Sequence, residues 1–283
     1  MYPLNRAKII GYLTEKPELR TIPSGTSVCD INLRCISKVK KDDGVSVDMT
    51  SFHTITFWAK QAEIIAQYSN VGSQLYIEGR LQTDSWDGED GKKRYKTKIV
   101  GEDFSFLMPK DGGFPSFQSP TFSTGINSVE LIGNLTKDLE VRQTPNGRSV
   151  GSTSVATNRK RKDGQSGQYI DETEFHNVIL WNDLASEGES QLKKGRKVYM
   201  EGRLQTRSWE TPEGVKRYTT EIIVEKVSLL GSEAPVDMHA AQNTNIPAAT
   251  TAPAKTATPD PEISAPVPSI QYESDIKPED LPF

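Results

Sequence analysis

The chain contains two copies of one long segment, and this duplication constrains its fold more than any other feature. Asn5 to Thr14 matches Asn127 to Thr136, and Arg20 to Val28 matches Arg142 to Val150, both at an offset of 122 residues. After a one-residue insertion the offset becomes 123: Phe52 and His53 match Phe175 and His176, and Trp58 matches Trp181. Gly72 to Trp86 then matches Gly195 to Trp209 with ten identities in fifteen positions. A period this long is a whole domain copied, not the short unit of a solenoid. At 283 residues the chain has room for two modest cores.

Each copy reads mainly as strand. Cys29, Ile31, Leu33 and Cys35 alternate with Asp30, Asn32 and Arg34, the period-two pattern of a half-buried strand. The corresponding stretch Val150–Asn158 is small and polar, with Val155 its clearest inward position. Long strands follow over Gly72–Trp86 and Gly195–Trp209, then over Tyr95–Phe106 and Tyr218–Leu229. One helical stretch interrupts each copy, Lys60–Tyr68 and Asp183–Leu192, the second with Asn182 or Asp183 available as a cap. Five strands with a helix between the third and fourth is the order of an OB fold, a small Greek-key barrel. The predicted fold is therefore all-β: two tandem OB barrels at 1–108 and 126–232, a Pro- and Gly-bearing linker at 109–125, and a tail at 233–283.

That tail carries nine of the chain's 17 prolines, so it cannot bury enough apolar surface to offset its ordering entropy and is expected to be disordered. It also distorts the charge balance. The chain's net charge is −4, but the tail contributes eight acidic and two basic side chains, leaving 32 basic against 30 acidic in residues 1–232. A polyanionic partner is thus compatible with the body of the protein.

Aromatic placement points to what that partner is. In Phe52–Trp58, Ile55 and Phe57 can fill a barrel, which turns Phe52, Thr54, Thr56 and Trp58 outward. The second copy repeats this, with Val178 and Leu180 inward and Phe175, Asn177, Ile179 and Trp181 outward. Trp86 and Trp209 end the next long strand in each copy. Basic residues flank these rings: Lys38, Lys40 and Lys41, then Lys92, Lys93 and Arg94, in the first copy; Arg159, Lys160, Arg161 and Lys162, then Lys216 and Arg217, in the second. Arg80 and Arg203 join them as candidate phosphate contacts, although each stands near a glutamate, Glu78 or Glu201, with which it could pair. A positive groove with outward aromatics is what single-stranded nucleic acid requires: bases stack and phosphates are neutralised.

Other classes find less support. No Walker pattern, His-Glu-x-x-His motif or nucleophile–base constellation occurs, so no enzyme is expected. With three histidines and two cysteines no metal or cofactor is expected. Cys29 and Cys35 lie six residues apart on one strand, too far to form a disulfide. No apolar run spans a membrane and no signal peptide is expected, so the predicted location is cytoplasmic, in association with the nucleoid. RNA- or oligosaccharide-binding OB proteins remain the competing binding modules.

With these residues in place the chain resembles the bacterial single-stranded DNA-binding protein family, in its form with two OB folds per chain. Asn127–Asp138, Glu174–Trp181, Gly195–Trp209 and the closing Asp280, Leu281, Pro282 and Phe283 carry the resemblance. It implies base stacking on Phe175, Trp181 and Trp209 and, through the repeat, on Phe52, Trp58 and Trp86. It implies an interface role for His53 and His176, and a homodimer supplying four OB folds. It also implies sequence-independent protection of single-stranded DNA, removal of its secondary structure, and recruitment of replication, recombination and repair proteins by the tip Asp280–Phe283. The family's further stacking tryptophan, after its second strand, is absent: basic residues near Lys38 and Arg161 stand there instead.

Overall fold

Strands build nearly all of the architecture, as the alternating patterns require. The computed structural model describes residues 4–40, 44–87, 93–107, 123–162, 167–210 and 216–231. The tail and its tip, most of the linker, and Lys41 and Lys92 lie outside these residues. In the first copy the order is β1 (Leu4–Leu13), β2 (Glu18–Thr21), β3 (Ser27–Lys40), β4 (Ser46–Trp58), α1 (Ala59–Tyr68), β5 (Gln74–Asp87) and β6 (Lys93–Phe106). The second copy repeats it with β7 (Ile126–Leu135), β8 (Glu140–Gln143), β9 (Ser149–Lys162), β10 (Tyr169–Trp181), α2 (Asn182–Gln191), β11 (Lys197–Glu210) and β12 (Lys216–Leu230). The five long strands of each copy and the helix after the third match the sequence expectation. The short β2 and β8 are additional, each four residues hydrogen-bonded to the start of the following strand.

Each copy closes as a barrel because β1 pairs with both β5 and β3, and β7 with both β11 and β9. Cys29, Ile31, Leu33, Cys35, Ile55 and Phe57 fill the first interior at 0% exposure. Both thiols are free, and burial pushes Cys29 up to about 11 and Cys35 up to about 12, which leaves them unreactive. In the second barrel the inward face of β9 is Gly151, Thr153, Val155 and Thr157. Its two buried hydroxyls are satisfied: Thr153 donates to the Lys137 carbonyl at 2.8 Å, and Thr157 pairs with His176 at 2.9 Å.

The two cores are complementary variants of one plan. Phe57 in the first barrel faces Gly101, where an added Cβ would lie 2.2 Å from the ring. Their counterparts are Leu180 and Val224, both buried, so the volume lost at one position is recovered at the other.

The copies are also joined edge to edge. β1 and β7 run antiparallel from Leu4↔Ile132 to Ile10↔Ile126, which merges both barrels into one twelve-stranded sheet. The pair Ala7↔Val129 lies within this register, and each residue is the other's repeat counterpart. The seam therefore has local two-fold character, centred on that pair.

Its two halves carry different chemistry. On one side Glu174 accepts the Thr83 N–H at 3.1 Å and lines a cavity of about 150 Å³ with Arg80, Glu102 and Arg159. On the other side the counterpart of Glu174 is Ser51, which receives the Asn127 amide at 3.4 Å, and Arg203 lies 3.4 Å from the Met49 sulfur. The end of the linker closes that second side, where Ser123 donates to the Ile36 carbonyl at 2.8 Å and Cys35 to the Ile126 carbonyl at 3.2 Å.

Candidate nucleic-acid interface

Backbone geometry at the end of β4 and β10 sets the position of one ring in each barrel. Trp58 and Trp181 are the last residues of their strands, and the next residues, Ala59 and Asn182, adopt left-handed φ values of 52° and 51°. The chain turns from strand into helix in that single step. The residue preceding each helix, Trp58 or Trp181, makes no side-chain cap, and Asn182 stands as the first residue of α2, not before it.

Strand parity then fixes the exposed faces. Ile55 and Phe57 are at 0% exposure, whereas Phe52 is 61% and Trp58 40% exposed. In the second barrel Val178 and Leu180 are at 0%, Phe175 is 42% exposed, and Trp181 is half-buried. Phe52 and Trp58 are separated by six residues on one strand face, roughly 20 Å at about 3.3 Å per residue. Thr56 shares their side of the strand but is covered at 3% exposure, and its hydroxyl donates to Asp30 at 2.6 Å.

Trp86 and Trp209 are at the ends of β5 and β11, opposite Arg94 and Arg217 in the antiparallel register; Asp87 and Glu210 face Lys93 and Lys216. The side chains of Trp86, Trp209, Lys93, Arg94, Lys216 and Arg217 lie outside the described set. Two β-hairpins project the other cations. Lys40 is exposed at the end of β3, and Lys160, Arg161 and Lys162 are exposed at the end of β9, none of them ion-paired among the described residues. Lys38 and Arg159 are held by Asp48 and Glu172, each at 2.6 Å.

Arg80 and Arg203 depart from the sequence expectation. Each side chain is only 13% exposed, and each pairs with a glutamate on the neighbouring strand, Glu102 at 3.4 Å and Glu225 at 3.2 Å. Burial lowers both guanidinium pKa values. The nearer glutamates Glu78 and Glu201 instead accept the hydroxyls of Tyr76 and Tyr199. These arginines belong to the barrel framework and do not form part of the exposed cation set.

Both histidines are buried beside the seam. His53 pairs with Ser51 at 2.8 Å, one contact from Asn127 of the other barrel; His176 lines a small cleft with Leu81 and Thr97 of the first barrel and Leu204 of its own. Burial pushes both rings down to about 4, so they are neutral at physiological pH. Among the described residues no group of three or more His, Cys, Asp or Glu is placed to hold a metal ion, and no helix is long and apolar enough to cross a membrane.

Two OB barrels, each with aromatic rings on its outer strand face and cations on its hairpins, define a class of duplicated OB-fold binding proteins. The sequence profile of the single-strand binding protein family matches residues 4–107 and again 126–230. The single-stranded DNA-binding protein of Thermus thermophilus is 32% identical over 224 residues, covering 77% of this chain and 80% of that one. That of Deinococcus radiodurans is 30% identical over 235 residues, covering 80% and 75%. The crystal structure of the wild-type single-stranded DNA binding protein from Thermus aquaticus shares the fold with a TM-score of 0.64 at 24% identity, covering 83% of this chain and 96% of that one. This chain belongs to the single-strand binding protein family.

Proposed function

We propose that the protein binds single-stranded DNA without sequence selection overall, protecting it and removing its secondary structure. The observation carrying this reading is the reversal of burial along β4. Phe52 and Trp58 are 61% and 40% exposed, while Ile55 and Phe57 between them are at 0%. Exposed rings spaced along a rigid strand hold separated bases of one extended strand, each stack worth about 1–3 kcal/mol. Phe175 and Trp181 repeat the pair in the second barrel, and Trp86 and Trp209 extend the two paths along β5 and β11. Lys38, Lys40, Lys41, Lys92, Lys93 and Arg94 neutralise phosphates on one barrel; Arg159, Lys160, Arg161, Lys162, Lys216 and Arg217 do so on the other. Lys38 and Arg159 exchange Asp48 and Glu172 for the phosphate in doing so.

The same reading treats 1–108 and 126–232 as the two binding domains, joined through residues 109–125. Two chains associate as a homodimer with four OB folds, by the preference for closed symmetric assemblies. The segment Asp280–Phe283, an acidic side chain followed by an aromatic ring, docks into basic pockets of replication, recombination and repair proteins. The protein acts without catalysis, in the cytoplasm and on the nucleoid.

Titration of intrinsic tryptophan fluorescence with oligo-dT tests the central claim. Strong quenching that weakens steeply with added salt is expected. A flat titration at low salt would reject single-stranded DNA as the ligand, and equal or tighter binding of RNA of the same length would reassign it.

A further inference from the structure

The two barrels differ in what lies between their stacking rings. In register across β3 and β4 the outward positions are Arg34↔Phe52, Asn32↔Thr54, Asp30↔Thr56 and Val28↔Trp58. The matching ladder in the second barrel is Ala156↔Phe175, Ser154↔Asn177, Ser152↔Ile179 and Val150↔Trp181. A nucleic-acid strand joining Phe52 to Trp58 crosses a carboxylate and a carboxamide. One joining Phe175 to Trp181 crosses two serines, the Asn177 carboxamide, which can both donate and accept, and Ile179, but no carboxylate.

Asp30 is held rigidly. Its Oδ1 accepts the Thr56 hydroxyl at 2.6 Å, and its Oδ2 accepts Arg20 at 2.6 Å. Asn32 accepts the Thr54 hydroxyl at 2.7 Å and donates its amide to Glu15. Asp30 thereby uses about two of its roughly four lone-pair sites, and its side chain stays 40% exposed. A fixed, accessible acceptor between two stacking platforms meets the edge of a base. It also occupies Arg20, whereas the counterpart Arg142, with Ser152 standing where the first barrel has Asp30, has no ion pair among the described residues.

We propose that Asp30 makes the first barrel base-selective, favouring bases that present an exocyclic amine over thymine, while the second barrel remains indifferent. The chemistry is that of a carboxylate accepting from cytosine N4–H₂ and repelling the O4 acceptor of thymine. This inference rests on the single-stranded DNA reading and adds a division of labour within it: one barrel senses composition and the other supplies uniform grip.

The test uses the full-length protein and labelled oligo-dC and oligo-dT of equal length at neutral pH, read by fluorescence anisotropy. Phe175→Ala with Trp181→Ala weakens the second barrel, and Phe52→Ala with Trp58→Ala weakens the first. The ratio of dC to dT affinity is expected to be about fivefold higher in the protein relying on its first barrel. Asp30→Ser, which installs the residue found at Ser152, should remove that difference. Asp30→Asn keeps an acceptor for Thr56 but presents an amide, and should shift the ratio toward dT. A ratio identical in both barrels, or unchanged by either substitution at Asp30, would overturn the proposal while leaving the single-stranded DNA reading intact. Failure of the unsubstituted protein to bind either oligonucleotide would overturn both.

Discussion

Lys8 and Glu130 occupy the same position in the two copies, 122 residues apart, and form an ion pair of 3.0 Å across the seam. In a seam made from identical copies this position would oppose like charges. Duplication within one chain permits opposite signs, and here each sign sits on a different barrel.

Glu130→Lys should restore that like-charge opposition and lower unfolding stability by about 1 kcal/mol, the scale of a partly exposed pair. Adding Lys8→Glu should recover most of the loss. A denaturant-melt double-mutant cycle measures the coupling, and additive losses would show that the pair contributes nothing.

Ala59 bears its left-handed φ of 52° without the side-chain chemistry that helps Asn182 to tolerate its own. Ala59→Gly should therefore stabilise the protein by roughly 1 kcal/mol, since a left-handed alanine costs about 1–2 kcal/mol and glycine gives back part of this in chain entropy. The gain would appear as a raised thermal midpoint; Asn182→Gly should gain less.

Gly101→Ala places a methyl group against the Phe57 ring and should cost about 1–3 kcal/mol as overpacking. Combining it with Phe57→Leu moves the pair toward the Leu180/Val224 solution and should recover part of that loss in urea titrations. A single substitution without cost would mean that the ring can withdraw freely.

Acid should weaken the fold through the two buried histidines. Their folded-state values of about 4 lie below the ordinary 6.5. The stability gained by holding them neutral is complete above the unfolded value and is lost as pH falls through the window toward about 4. Each ring accounts for about 3 kcal/mol over that interval. His53→Gln with His176→Gln should flatten the acid limb of a stability–pH curve measured in urea.

Glu174 contributes with the opposite sign. Burial, and then Glu172, raise its pKa against the lowering influence of the Thr83 N–H, Arg80 and Arg159. Its contribution to stability is present below the unfolded carboxylate value and is lost as pH rises through the folded one. Glu174→Gln keeps an acceptor for Thr83 and should raise the denaturation midpoint at neutral pH while leaving it nearly unchanged in acid.

The parts legible in the sequence are those governed by local periodicity. Alternation placed Ile55 and Phe57 inside and Phe52 and Trp58 outside, because a strand has only two faces. The same rule turns Thr56 outward but cannot anticipate that it is covered and bonded to Asp30 on another strand. β2 and β8 are four residues each, too short to establish a period. Arg80 and Arg203 stand beside Glu78 and Glu201 in sequence. Both instead reach across to the adjacent strand, just after a bulge at Glu78/Gly79 and Glu201/Gly202 that shifts the register. Nor did the repeat reveal that β1 would pair with β7, since hydrogen bonding between strand edges leaves no mark in side-chain pattern.

That edge-to-edge union has a mechanical consequence. Seven consecutive residue pairs hold the backbones of the two barrels together, in addition to the chain that links them. On the proposed reading, the interval between the exposed rings of one barrel and those of the other is set by this strand pairing, and a bound polynucleotide has to span it.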